Sequence, residues 1–559
     1  MKYVFGVPGS TTVSLISSIS DSKRLKFISS LNENASLAMA DGYSRASSSI
    51  GVVLLHTTPG LTTALPNLYN SYVDNIPLLI LVGDVNSKFL IKEPGLALDG
   101  LEDLAKPLTR WTYFAKSGSD VVTAIERSAS IFRSPETGPC CIIIPEDILE
   151  DEQREEDDDD KSGEPNHRLA LEPLVVKPDE KTIQNLIAML DESNWPLIII
   201  GREIKSEKAV NAIVDFCNLL SLPAMLESPY PSAYSVGFPQ NDPCYVGLFR
   251  RESEALKGAD LIVGLGGEMV TERKYYEDSP FSNSTKVIHI SQDPWQLGKN
   301  IPTDVSIIAS PERTAGMLAE LARAHEGNVG KREQRKRRIG EICSKRREER
   351  EKLLSKRGDG HGIKPWELVS SVKRSLGDKD FLIVDEGVVA SSYFSEIFEF
   401  TRPGSLIGRS AGCLGWGLGA AIGAKLAEPK KIVIAIVGDG ALMFSPQALW
   451  TAAHERISII VLVCNNNGYS SVRLSFDSFA RRSKRKVSVE SSEILYPRLD
   501  LVSLGKALGV TAVSVTDEIE LPNALDSAII SEMPYLLDVH VDPREKGFEG
   551  SVGMNSTWT

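Results

Sequence analysis

The residues best suited to chemistry lie in the stretch AIVGDGALMFSPQALW, Ala435 to Trp450, and in the asparagine cluster of NNNGYSSV. Asp439 stands between Gly438 and Gly440 at the end of one apolar run, and Asn465, Asn466 and Asn467 close the next. A carboxylate, an amide oxygen and a backbone carbonyl form a hard, oxygen-only donor set. Such a set holds Mg²⁺ and leaves positions for phosphate oxygens and water. The two glycines permit a tight turn and close backbone approach to a diphosphate. Ser445 and Pro446 read as N-cap and first residue of the next helix. Alone, a Gly-Asp-Gly turn is a common loop after a strand; the asparagines give it chemical meaning.

These residues need a scaffold that delivers strand ends to one crevice. Apolar runs alternate with helical patterns throughout: GVVLLH, PLLILVGD and PCCIIIPED, then PLIIIG, DLIVGLGG and KVIHIS, then FLIVDEG, KIVIAIVGDG, ISIIVLVCNNNG and YLLDVHVD. Continuous apolar strands belong to parallel sheets covered on both faces, and doubly wound sheets meet ligands at the carboxyl ends of their strands. The expected fold class is α/β, with three doubly wound parallel-sheet domains at 1–150, 179–325 and 363–545. An acidic linker at 151–178, a charged helical connector at 326–362 and a tail at 546–559 complete the chain. The glycines of DLIVGLGG lack the spacing of a dinucleotide fingerprint and read as a strand-ending turn. Small residues crowd Ser410 to Ala424 and predict close approach of a helix to the sheet.

At 559 residues the chain is too long for one core, and its 42% hydrophobic and 25% charged residues are those of an ordinary soluble protein. A net charge of -13 argues against nucleic acid or an anionic membrane as partner. The seven cysteines form no C-x-x-C pair, which predicts free thiols in a reducing compartment. The opening MKYVFGVPGS has no apolar signal region, and no later run is long and apolar enough to span a membrane. The expected location is cytoplasmic.

The paired motif resembles the thiamin diphosphate (ThDP) site of the thiamin-dependent decarboxylase and acetolactate synthase family. By that resemblance Asp439 and Asn466 ligate Mg²⁺ by side chain and Gly468 by its carbonyl. Gly438, Gly440, Ala441 and Tyr469 lie against the cofactor. Distant segments extend the likeness over almost the whole chain. SLNENASLAMADGYSRAS places Glu33 where the family carries the glutamate that shares a proton with N1′ of the aminopyrimidine. SAGCLGWGLGAAIGAKLAEP places Gly412 at the carbonyl that receives the 4′-amino group and Leu414 under the bend of the cofactor. VIHISQDPWQLGKN is similar to the family's central domain.

Within the family the chain looks most like benzoylformate decarboxylase. FGVPGS puts Ser10, and VLLHTTPG puts His56, at the positions of two active-site groups. Ser10 and Thr11 also fit a helix cap, and His56 a structural histidine at a strand end. Arg273 or Lys274 stands near a second histidine of that enzyme, and Val388 and Val389 replace hydroxyl residues that touch the diphosphate. TTPGLTT and YVDNIPLLILVGD lean toward acetolactate synthase. The implied reaction is decarboxylation of a small 2-oxo acid through a C2 ylid and an enamine, with Glu33, His56 and Ser10 as catalytic groups. The alternative is an acetolactate-synthase-like carboligase, for which FAD is possible but not favoured. A silent binding homologue is argued against by the retention of Glu33, Asp439 and Asn466. The family builds each site between two subunits, so a homodimer or a homotetramer is implied. The basic run Arg481 to Lys486 reads as a solvated active-site loop, or as a contact for an anionic substrate such as a CoA thioester.

Overall fold

The computed structural model describes residues 2–47, 49–150, 175–227, 236–271, 275–356, 358–545 and 547. Most of the acidic linker, nearly all of the tail, and Arg273 and Lys274 lie outside them. The described residues build three six-stranded sheets in which every neighbouring pair of strands is parallel. The first holds β1 (Tyr3–Gly6), β2 (Lys26–Ser29), β3 (Gly51–His56), β4 (Leu78–Asp84), β5 (Trp111–Phe114) and β6 (Cys140–Pro145), in the order β2-β1-β3-β4-β6-β5. The central sheet holds β7 (Pro196–Ile200), β8 (Ala224–Leu226), β9 (Tyr245–Leu248), β10 (Leu261–Leu265), β11 (Lys286–Ser291) and β12 (Val305–Ile308), ordered β12-β11-β10-β7-β8-β9. The C-terminal sheet repeats the first sheet's topology with β13 (Phe381–Asp385), β14 (Leu406–Ile407), β15 (Ile432–Gly438), β16 (Ile459–Asn465), β17 (Thr511–Val515) and β18 (Tyr535–His540), ordered β14-β13-β15-β16-β18-β17.

The long apolar runs become the inner strands because both of their faces are covered. Successive side chains of a strand point to opposite faces. Accordingly Ile434 and Ile436 of β15 join one core, while Val433, Ala435 and Val437 join another. The second of these cores is shared between the N-terminal and C-terminal sheets, so the two pack as one body.

The expectation for Ser410 to Ala424 is corrected in one respect. The helix Gly417–Ala427 does pack on its sheet, but its closest approach is to another helix, Glu33–Ser47 of the N-terminal unit. A methyl group added at Gly423 would stand 1.9 Å from the Met39 carbonyl oxygen, and one at Gly42 would stand 2.1 Å from the Ala420 oxygen. Glycine is required at this crossing because backbone meets backbone.

Buried charges join the three sheets. The Asp74 carboxylate, at the end of the helix Thr57–Val73, accepts from Arg45 Nη2 at 2.9 Å, Arg202 Nη1 at 3.0 Å and the Ser410 amide at 3.0 Å. Burial pushes its carboxyl up, but the two guanidinium groups outweigh that and hold it below its ordinary range. Arg45 continues to Asp41 at 2.6 Å, and Asp41 accepts the Trp416 indole N–H at 2.7 Å.

The connector forms the helix Val329–Leu354. Its Arg335 is 1% exposed and donates to the carbonyls of Leu190, Asp191, Ser193 and Leu220. These carbonyls close the helices Glu180–Glu192 and Glu207–Leu220, whose last turns leave acceptors without intrahelical partners. Among the described residues, no helix is long and apolar enough to cross a membrane.

The crossing gives a stability prediction. Gly423→Ala is expected to cost about 2 kcal/mol or more through overpacking. Gly340→Ala, in the connector helix with nothing within 4 Å of the new methyl, is expected to stabilise by about 0.5 to 1 kcal/mol. Thermal denaturation of the two variants against the parent checks both signs.

Candidate active site

The Gly-Asp-Gly turn forms where β15 ends. Gly438 closes the strand, and Asp439 opens the short helix Asp439–Leu442. Its carboxylate is 2% exposed and accepts the Gly468 amide at 2.9 Å, which ties the turn to the end of β16. Burial pushes the Asp439 carboxyl up to about 6 despite the backbone N–H groups aimed at it. The protein thus holds a nearly dry carboxylate whose charge its own groups do not fully offset. A methyl at Gly440 would strike the Tyr469 ring at 2.5 Å, so the turn and this tyrosine interlock.

The three asparagines separate into different tasks. Asn465 donates to Asp538 at 2.9 Å and accepts the Asn467 amide, which fixes the strand end. Asn467 takes a left-handed φ of 53°, a conformation asparagine tolerates better than most residues. Asn466 lines the cavity beside Asp439, and its side-chain oxygen meets Arg473 Nη2 at 3.3 Å, leaving a further lone pair.

That cavity, of about 90 Å³, sits at the carboxyl ends of β13, β15 and β16 and is lined by Gly438, Asp439, Gly440, Ala441, Asn466, Gly468 and Tyr469. Leu414, Val388 and Val389 add an apolar side. Gly412 is exposed and meets nothing within 4 Å of an added methyl. The loop carrying Gly412 and Leu414 is anchored by Asn70, whose side-chain amide bonds the Cys413 carbonyl at 3.1 Å and amide at 3.3 Å. Behind it, the buried Glu386 accepts from Arg409 and from the amides of Trp416 and Gly417. The donor set fits a divalent cation with a diphosphate. It combines a buried carboxylate, an amide oxygen, backbone at Gly468 and a turn into which no Cβ fits at residue 440.

A second group assembles on the N-terminal sheet. Strands β2, β1 and β3 are neighbours, and all run parallel. Their carboxyl ends lead into Glu33, Ser10 and His56, so these three share one sheet edge. Glu33 opens the helix Glu33–Ser47 and is half-buried, with its Cγ 3.7 Å from a methyl built on Gly60. Ser10 is exposed in the turn Ser10–Thr12. His56 ends β3, with Nδ1 2.9 Å from Thr11 Oγ1. None of the three lines the cavity around Asp439. The two groups therefore lie on the edges of different sheets.

Three local expectations change. Ser445 does not cap a helix: the following helix is Ala448–His454, with Gln447 at its cap, and Ser445–Gln447 form a turn closed by the Ser445 carbonyl. The basic run at Arg481 is not wholly a loop, since Arg481 and Arg482 form the last turn of the helix Ser470–Ser483. In the central crevice, where FAD is possible but not favoured, the third change is that the glycine turn is held by side chains of the chain itself. Its glycine turn, Gly266 and Gly267, has φ of 78° and 82°. The Gly267 amide donates to Glu203 at 2.6 Å and the Glu268 amide to Glu227 at 3.2 Å. Two backbone donors of this turn are thus taken by the chain's own carboxyl groups. A larger cavity, about 750 Å³, lies between β9 and the connector helix. Its Arg250, Arg346 and Arg350 pair with Glu396 and Glu399, and no motif residue reaches it.

Sequence reasoning missed Thr11 as a partner of His56 and Arg473 as a partner of Asn466. Neither carries a local signal, because each contact depends on how a turn or helix folds back on a strand end.

Comparison with known proteins bears on all three units. Residues 1–94 match the thiamine pyrophosphate enzyme N-terminal TPP binding domain, 183–318 its central domain and 388–539 its C-terminal TPP binding domain. The chain is 25% identical over 540 residues to a benzoylformate decarboxylase of Pseudomonas aeruginosa, covering 96% of this chain and 95% of that protein. It is 24% identical over 557 residues to an acetolactate synthase large subunit of Haemophilus influenzae, covering 98% and 92%. In fold it is similar to a thiamine diphosphate-dependent 4-hydroxybenzoylformate decarboxylase of Rhodococcus jostii, with TM-score 0.80, 23% identity and 97% of each chain covered. A benzoylformate decarboxylase of Polynucleobacter necessarius superposes with TM-score 0.83 and 21% identity, covering 98% and 97%.

The buried carboxylate sets a pH prediction for the cofactor-free protein. The folded state holds the Asp439 proton more tightly than the unfolded state, so this residue's contribution to stability falls as pH rises from about 4 to about 6. Asp439→Asn is expected to match the parent at pH 4 and to exceed it by up to about 3 kcal/mol at pH 7.5. Thermal denaturation across that range measures the difference. Adding Mg²⁺ with ThDP should raise the melting temperature of the parent and leave the variant's nearly unchanged.

Proposed function

The chain belongs to the thiamin diphosphate-dependent enzyme family, and from that premise we propose that it decarboxylates a small 2-oxo acid in a benzoylformate-decarboxylase-like reaction requiring Mg²⁺. The observation that carries the reading is the grouping of Glu33, Ser10 and His56 on adjacent strand ends, which supplies a carboxyl, a hydroxyl and an imidazole at one edge.

Asp439 and Asn466 side chains and the Gly468 carbonyl would hold the metal, and backbone at Gly438, Gly440 and Ala441 would hold the diphosphate. Val388 and Val389 lack hydroxyls, so their backbone groups take that part. Tyr469 keeps the turn closed against Gly440. Leu414 would support the cofactor rings and the Gly412 carbonyl would accept an amino group. Bound ThDP supplies the electron sink for loss of CO₂. Glu33 holds a proton at the aminopyrimidine, His56 moves a proton at its ring nitrogen, and Ser10 orients the substrate carboxylate.

Because the two groups lie on separate edges of one chain, a complete site takes its N-terminal edge from one subunit and its C-terminal cavity from another. The proposed assembly is a homodimer or a pair of dimers. Nucleic acid and membrane are not part of it, and the proposed location is the cytoplasm. FAD is not favoured in this reading, supported by the Gly267 and Glu268 amides already donating to Glu203 and Glu227. A second reading, an acetolactate-synthase-like carboligase, is supported by the nearly equal identity to the Haemophilus protein.

The test is product analysis with ThDP and Mg²⁺ on benzoylformate, pyruvate and 2-oxobutyrate. An aldehyde with one CO₂ per turnover is expected; acetolactate from pyruvate moves the protein to the second reading. Glu33→Gln is expected to bind ThDP yet lose at least a hundredfold in kcat. Parent-like turnover in that variant would sink the assignment of Glu33.

A further inference from the structure

We propose that Thr11 is a positioning residue that locks His56 in the Nδ1–H tautomer, so that His56 gives and receives protons only at Nε2; its value to catalysis rests on the reading of His56 above. Thr11 is 5% exposed, and its hydroxyl oxygen lies 2.8 Å from the Gly83 carbonyl oxygen and 2.9 Å from His56 Nδ1. A hydroxyl has one proton and a carbonyl can only accept. The Thr11 proton therefore goes to Gly83, and the lone pair left on Oγ1 faces His56. Nδ1 must then be the donor. A neutral imidazole carries one N–H, so Nε2 is left bare.

The lock is built from three strand ends. His56 and Gly83 are register partners across β3 and β4, and the Ser10–Thr12 turn follows β1 and lies on both. A methyl on Gly83 would come within 2.5 Å of the Thr12 side chain and 2.8 Å of the Thr11 carbonyl oxygen. A methyl on Gly9 would come within 2.3 Å of the His56 ring, so the imidazole packs directly on backbone there. Both glycines are required for the turn to reach the ring. Just past His56 the chain bends sharply: Thr57 is a buried β-branched residue at φ 47°, in a region such residues rarely occupy. Strain of this kind persists only where surrounding contacts fix it, and it gathers at functional sites.

With Nδ1 committed to Thr11, the ring cannot turn over to present its other nitrogen without breaking this bond. Neutral His56 offers a lone pair at Nε2, and protonated His56 can release only the Nε2 proton without losing its support. No partner for Nε2 is found among the described residues, so that nitrogen is open to a ligand.

The experiment is ¹⁵N NMR of the intact protein with labelled histidine, at alkaline pH where the ring is neutral, with the His56 signals identified by their loss in His56→Gln. The parent and Thr11→Ser should show a protonated Nδ1 and a bare Nε2. Thr11→Val, of nearly the same shape but without the hydroxyl, should move the proton to Nε2, the form a free imidazole side chain prefers. Turnover of the loaded enzyme should fall about ten- to a hundredfold in Thr11→Val, with KM little changed, and recover in Thr11→Ser. A parent spectrum with the proton on Nε2, or a Thr11→Val spectrum like the parent's, overturns the lock. The spectra do not depend on turnover. If they are as expected while His56→Gln keeps full activity, the reading of His56 fails and the tautomer assignment stands.

Discussion

The arrangement of the molecule depends on one buried carboxylate. Asp74 receives a guanidinium from its own N-terminal unit, another from the central unit and a backbone amide from the C-terminal unit. Charges this deeply buried contribute little net stability compared with an apolar replacement, and each guanidinium here keeps a second carboxylate, Asp41 for Arg45 and Glu268 for Arg202. Such a junction acts mainly on geometry. In the placement observed, Arg45, Arg202 and the Ser410 amide all meet the one carboxylate. Arg45 also carries the constraint through Asp41 to Trp416, which immediately precedes the Gly417–Ala427 helix.

That placement keeps the two groups of candidate site residues apart on one chain. The helices Glu33–Ser47 and Gly417–Ala427 meet backbone to backbone, which fastens the N-terminal and C-terminal sheets together and leaves the Glu33 edge away from the Asp439 cavity. Within each group, the chemistry follows from burial. Asp439 is nearly dry and short of positive charge. His56 is half-buried at a strand end and held at one nitrogen. In the central crevice, two backbone amides of the glycine turn donate to the protein's own Glu203 and Glu227.

Much of this was legible in the sequence, for reasons that differ by element. The inner strands β3, β4, β6, β7, β10, β15 and β16 are continuous apolar runs because both faces are covered, and each stands out from its surroundings. The edge strands β2, β5, β12 and β17 do not, since each is short and partly exposed. The motif around Asp439 was readable because its spacing is set by one strand and one turn. The triad of Glu33, Ser10 and His56 was readable only by resemblance, because adjacency on a sheet edge depends on strand order. The contacts of Thr11 and Arg473 and the crossing at Gly42 and Gly423 were not readable. They depend on which surfaces meet, and composition signals only that small residues are present.

Arg335 has a bearing on how the protein is made. The last strand of the central sheet ends at Ile308, yet the guanidinium that gathers the final carbonyls of two of its helices arrives with residue 335. A ribosome releasing the chain from its N-terminus delivers every strand of that sheet before it delivers the group that satisfies those acceptors. The central unit is thus complete in topology before it is complete in hydrogen bonding. A central unit cut at the end of its sheet would lack the guanidinium that these four carbonyls meet.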